Sequence, residues 1–121
     1  METNVLTLAY LGDSVYELYI REYLISKGIV KVNDLQKEAI KYVSAKAQAN
    51  YLKELIGNDL LNKEELDIIY RGRNHKNNHK PKNTDIITYK NATGLEALIG
   101  YLRINNNNER IQEIMNYIIG E

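Results

Sequence analysis

The sequence has 121 residues, no Cys, no Trp and one Pro, with 16 basic residues against 16 acidic ones for a formal net charge of zero at pH 7. That length fits one compact domain spanning 1–121, and 44% hydrophobic with 26% charged residues is a globular composition that argues against disorder. Without Cys there is no disulfide scaffold, thiol catalysis or thiolate metal site; without a basic leader or an apolar run of about 18 residues the chain is expected to be cytoplasmic, neither secreted nor membrane-spanning.

Spacings of three and four between Leu8, Leu11, Val15 and Leu18 predict a first helix over about residues 4–26, capped by Asn4 and stopped at Gly28. A second stretch begins after Asn33, with Leu35, Ala39, Tyr42 and Val43 on one side. Ser44 re-caps the chain for a third segment carrying Ala45, Ala49, Leu52 and Ile56, which Gly57, Asn58 and Asp59 end. Asn62 followed by Lys63, Glu64 and Glu65 is a cap with first-turn acids that suit the helix dipole, leading into Leu66, Ile69 and Tyr70. Periodicity lapses from Gly72 to Asn83, which predicts a surface loop. It resumes near Asp85: Leu95, Leu98, Ile99 and Leu102 mark a helix over Tyr89 to Ile104. The Asn residues 105–108 form a turn, and Ile111, Ile114, Met115 and Ile118 mark a last amphipathic helix. No alternating run of strand length competes, so the expected fold is all-α with five to seven helices.

The neutral total hides an uneven distribution. Residues 1–70 hold 8 basic and 11 acidic groups, whereas Arg71, Arg73, Lys76, Lys80, Lys82 and Lys90 face Asp85 alone, with His75 and His79 among them. Such a block is either an anion-binding surface or a solvated loop, and charge alone leaves the two readings equal. His75 and His79 are the only His residues and there is no Cys, so a zinc site is not expected.

Two carboxylates stand where the pattern asks for apolar residues: Asp13, beside Gly12 and four after Ala9, and Glu96, flanked on its helical face by Ala92, Thr93 and Gly100. Small residues let helices approach closely. If these segments pack together, the acids meet in a partly dry groove where unpaired charge is costly, and a magnesium ion is one partner that resolves it. The alternative is that each acid lies at a helix edge and points to water or pairs with a Lys. Glu17, one turn beyond Asp13, carries little weight beside Arg21 and Glu22.

Leu11-Gly12-Asp13-Ser14-Val15-Tyr16-Glu17-Leu18 resembles the signature helix of the ribonuclease III catalytic domain, and Leu95-Glu96-Ala97-Leu98-Ile99-Gly100 its second acidic helix. With Tyr42-Val43-Ser44-Ala45-Lys46-Ala47-Gln48-Ala49, Arg71-Gly72-Arg73-Asn74 and Tyr89 to Leu102, the resemblance to the stand-alone Mini-ribonuclease III branch covers nearly the whole chain. It implies an all-α ribonuclease III-like endonuclease domain, a helical bundle that works as a homodimer. It also implies Mg2+-dependent cleavage of double-stranded RNA, in maturation of the large-subunit (23S) ribosomal RNA precursor, leaving 5′-phosphate and 3′-hydroxyl ends. By position Asp13 and Glu96 match the family's metal-binding catalytic acids. Larger ribonuclease III enzymes carry further acids where Ala9 and Thr93 stand here, a reduced set that resembles the Mini branch.

No double-stranded-RNA-binding domain follows before Glu121, so RNA contact is expected from this domain. Arg71, Arg73, Lys76, Lys80, Lys82 and Lys90 are the expected phosphate contacts, with Gly72 permitting close backbone approach. Zero net charge predicts modest RNA affinity and so dependence on a partner; the partner expected is a ribosomal protein that presents the substrate. The competing reading is a non-catalytic helical domain that binds structured ribosomal RNA, with Asp13 and Glu96 as structural acids.

Overall fold

The computed structural model describes residues 4–75 and 84–120. These form six helices: α1 (Val5–Ser26), α2 (Val32–Val43), α3 (Ala45–Gly57), α4 (Lys63–Arg73), α5 (Ile86–Ile104) and α6 (Asn108–Ile119). Among the described residues there is no strand, as the apolar spacing predicts, and no helix is long and apolar enough to cross a membrane.

The helices begin where side chains can take up the backbone N–H groups that a first turn leaves unpaired. Asn4 accepts from the Leu6 amide at 2.8 Å and Ser44 Oγ from the Ala47 amide at 3.1 Å. Asn62 and Glu65 cap reciprocally, and Asp85 accepts from both the amide and the hydroxyl of Thr88. α1 ends before Gly28, whose φ of 90° a residue with a side chain rarely adopts.

α5 is the central helix. Ala92, Thr93, Gly94, Leu95, Ala97, Leu98, Ile99, Gly100 and Leu102 are all buried, as a helix enclosed by neighbours requires. α1 crosses it backbone against backbone: a Cβ at Gly12 would fall inside the Glu96 carbonyl, and one at Gly100 inside the Leu8 carbonyl. α4 packs on another side, and Leu52 and Leu55 of α3 with Ile111 and Met115 of α6 complete the core. α2 buries no residue completely and covers the rim through Leu35, Ala39, Tyr42 and Val43. Arg110 of α6 pairs with buried Glu65 at 2.7 Å and donates to the Leu60 carbonyl at 2.6 Å, fastening α6 to the start of α4. Burial pushes the Glu65 carboxyl up, but hydrogen bonds from Arg110 and the Asn62 amide hold it below its ordinary value.

Three expectations are corrected. Leu18 is 51% exposed, because the close crossing at Gly12 turns the buried face of α1 onto Val5, Leu8, Ala9, Gly12, Val15, Tyr16, Ile20 and Leu24. Leu55, and not Ile56, is the core residue at the end of α3. Gly72 belongs to no loop: it is buried in α4, where a Cβ would stand 3.0 Å from that of Ala97, so it serves helix packing and not approach to a ligand.

Candidate active site

Glu96 is the one charged residue between Asn91 and Leu102, half-buried in a helix otherwise enclosed by apolar neighbours. Asp13 follows Gly12, the residue that touches the Glu96 backbone, so the crossing of α1 and α5 delivers the Asp13 carboxyl to the Glu96 side chain. Asp13 itself is exposed. The two acids therefore form a pair with one member at the surface and one set deeper. Burial, then the hydrogen bond and the charge of Asp13, push the Glu96 carboxyl up to about 9. A like charge alongside disfavours the ionised form, so the pair favours a proton on Glu96 shared with Asp13.

α3 supplies a third group. Gln48 is 2% exposed, and its side-chain amide acts on Glu96 in the opposite sense, favouring the ionised carboxylate. Its Nε2 nevertheless makes no hydrogen bond of regular geometry to any described group. Gln48 escapes a reading for acids, although it interrupts the apolar pattern before Ala49 and Leu52 much as Asp13 and Glu96 interrupt theirs. Tyr16, wholly buried, donates to the Tyr42 carbonyl at 2.6 Å, and Tyr42 stacks on Tyr51 with centroids 6.4 Å apart. This chain of rings ties α1 to the α2–α3 junction, and so fixes α3 against the acid pair.

At the two positions where larger enzymes carry acids, this chain is structural. Ala9 packs in a small cluster with Val5, Ile68 and Ala97, and Thr93 is buried with its hydroxyl donating to the Tyr89 carbonyl at 3.0 Å. No group of three or more metal-ligating His, Cys, Asp or Glu occurs among the described residues. Glu17 pairs with Arg21 at 2.8 Å on the surface. A pair of carboxylates with one solvent-facing member suits a hard, strongly hydrated cation such as magnesium, which keeps several waters and needs only one or two protein carboxylates.

The basic candidates divide. Lys76, Lys80, Lys82 and His79 lie outside the described residues. Arg71 and Arg73 occupy the last turn of α4, where the helix dipole favours cations. Two residues apart on a helix, they face different ways: Arg71 into a hollow with Asn4, Tyr70, Asn74 and His75, Arg73 into another with Lys53, Ile87 and Asn91. Lys90 is half-buried on α5, six residues before Glu96. None of the three is among the groups that act on the Glu96 carboxyl.

Residues 6–107 match the Ribonuclease III domain, and the chain belongs to that family. This makes it an endoribonuclease by class. Within the family its relatives are of the Mini-ribonuclease 3 branch. The protein of that name from Brevibacillus brevis is 53% identical over 113 residues, 93% of this chain and 83% of the relative. The one from Enterococcus faecalis is 46% identical over 118 residues, 98% of this chain and 89% of the relative. A crystal structure of a protein from Fusobacterium nucleatum, 34% identical, superposes with a TM-score of 0.86 and covers 98% of this chain and 93% of its own.

Proposed function

We propose that this protein hydrolyses phosphodiester bonds of double-stranded RNA, with Asp13 and Glu96 as the catalytic acids that hold a Mg2+ ion between α1 and α5. The observation that carries this reading is the meeting of the two carboxyls, one exposed and one half-buried, at a backbone crossing built from glycines. Bound to such a pair, a divalent cation supplies an activated water for in-line attack and stabilises charge on the leaving 3′-oxygen, so that products carry 5′-phosphate and 3′-hydroxyl ends. Asp13 offers a carboxylate at the surface, where a phosphate backbone can reach it. Glu96 offers a second carboxylate once it releases the proton it shares with Asp13.

The proposed substrate is the precursor of large-subunit ribosomal RNA in the cytoplasm, presented by a ribosomal protein because a neutral chain binds RNA only modestly. Arg71, Arg73 and Lys90, with Lys76, Lys80 and Lys82, are the proposed phosphate contacts, since an A-form duplex is read chiefly by shape and charge. One chain offers one acid pair, so cutting both strands calls for a homodimer. The decisive experiment is cleavage of an end-labelled RNA duplex at low salt, with magnesium or EDTA, by the wild type and Glu96→Gln. Magnesium-dependent cutting is expected of the wild type, and retained binding with at least about a hundredfold slower cutting of the variant. Undiminished cutting by the variant would sink the assignment, and tight binding without cutting by either protein would make this an RNA-binding domain.

A further inference from the structure

Gln48 is the one buried side chain among the described residues whose polar atom lacks a partner, and it stands beside the acid pair. Core packing does not call for an amide there. Leu fills nearly the same volume, and the neighbouring positions of α3, Ala47, Ala49 and Leu52, are apolar. A buried N–H group left unmade disfavours the fold, so its presence calls for a state of the molecule in which it is satisfied.

The acid pair has such a state. In the metal-free fold the Gln48 amide lies against the Glu96 side chain, buried and without a hydrogen bond of regular geometry. A carboxylate that gives one oxygen to a cation keeps lone pairs on the other, and an amide NH2, which only donates, is the group to fill one. We infer that Gln48 is a positioning residue for Glu96: its Nε2 donates to one oxygen of the Glu96 carboxylate, fixes that side chain's rotamer, and leaves the other oxygen turned toward Asp13 for a divalent cation. This rests on the reading of Asp13 and Glu96 as a cation site. Partners that orient a metal-ligating carboxylate from behind typically change metal affinity about 10- to 100-fold. The tyrosine chain from Tyr16 to Tyr51 and the Ser44 cap hold α3 in register, so the amide is presented by a rigid element.

The test measures Mn2+ affinity of the full-length protein without RNA, by the electron paramagnetic resonance of free Mn2+, together with metal-free melting temperature. Four proteins are compared: the wild type, Gln48→Leu, Glu96→Gln and the double variant; Gln48→Met, which keeps length without a donor, replaces Leu if that variant does not fold. Expected are a metal-free melting temperature of Gln48→Leu at or above that of the wild type and Mn2+ affinity weakened about 10-fold or more. In the Glu96→Gln background the Gln48 change should have no further effect on affinity, since the carboxylate that it positions is gone. A core-filling role would leave Mn2+ affinity untouched. Wild-type affinity in Gln48→Leu, with Glu96→Gln weakened, overturns the inference alone; wild-type affinity in Glu96→Gln overturns the cation site and the inference with it.

Discussion

A glutamic acid set half-buried against an aspartate is unfavourable in its charged form, and that makes Glu96 a source of pH-dependent stability. Its folded pKa, about 9, lies above its unfolded value of 4.5. The folded state therefore binds more protons than the unfolded one between these values, and the stability that the neutral carboxyl supplies is full below pH 4.5 and lost as pH rises through 9. Gln mimics the neutral acid at every pH. In EDTA, Glu96→Gln should thus melt close to the wild type at pH 5 and increasingly above it at pH 7 and 9, while added magnesium raises the melting temperature of the wild type only. A gap that does not change with pH would mean that Glu96 is ionised in the metal-free fold. Asp13 and Glu96 are legible in the sequence because a charge inside an apolar run is conspicuous. Gln48 interrupts the pattern of α3 as well, but an uncharged amide near the start of an Ala-rich helix is a weaker signal than an acid until its burial and its missing partner are known.

At the scale of helices, the acids meet only because two backbones touch. Gly100→Ala would drive a Cβ into the Leu8 carbonyl, an overpacking that no rotamer change relieves, since the obstacle is main chain. The expected loss is about 3 kcal/mol in urea unfolding, with loss of Mn2+ affinity in whatever fraction stays folded as α1 moves off α5. Gly57→Ala is the control. Nothing stands within 4 Å of its Cβ, and Gly57 ends α3 without a positive φ, so Ala should stabilise by about 0.5 kcal/mol. Equal destabilisation by both changes would refute the crossing as the cause. The same contrast explains what the sequence could and could not tell. Caps at Asn4, Ser44 and Asn62 are local hydrogen bonds, and so are written locally. Leu18 and Ile20 of α1 are equally apolar, and only the crossing at Gly12 decides that Ile20 faces the core and Leu18 faces water. Gly72 reads as the start of a loop for the same reason: its partner, Ala97, is 25 residues away in the chain and gives no local signal.

On the scale of the whole molecule, the acid pair and Arg73, at the end of α4, belong to different sides of α5. Arg73 packs beside Gly94, about 200° around the helix from Glu96, so one copy of this domain does not carry its acids and Arg73 on one face. A duplex that meets both in one copy would have to wrap around α5, whereas in the proposed dimer the second copy's Arg73 can flank the first copy's acids. Each acid pair then cuts one strand. In mixed dimers of wild type and Glu96→Gln, isolated with two different tags, one acid pair survives, and the product on an end-labelled duplex should be a nick in a single strand, while wild-type dimers cut both. Strand separation on denaturing gels distinguishes these outcomes. Double-strand cutting by the mixed dimer at the wild-type rate would mean that one acid pair serves both strands in turn, and a fully inactive mixed dimer would mean that the two pairs are not independent sites.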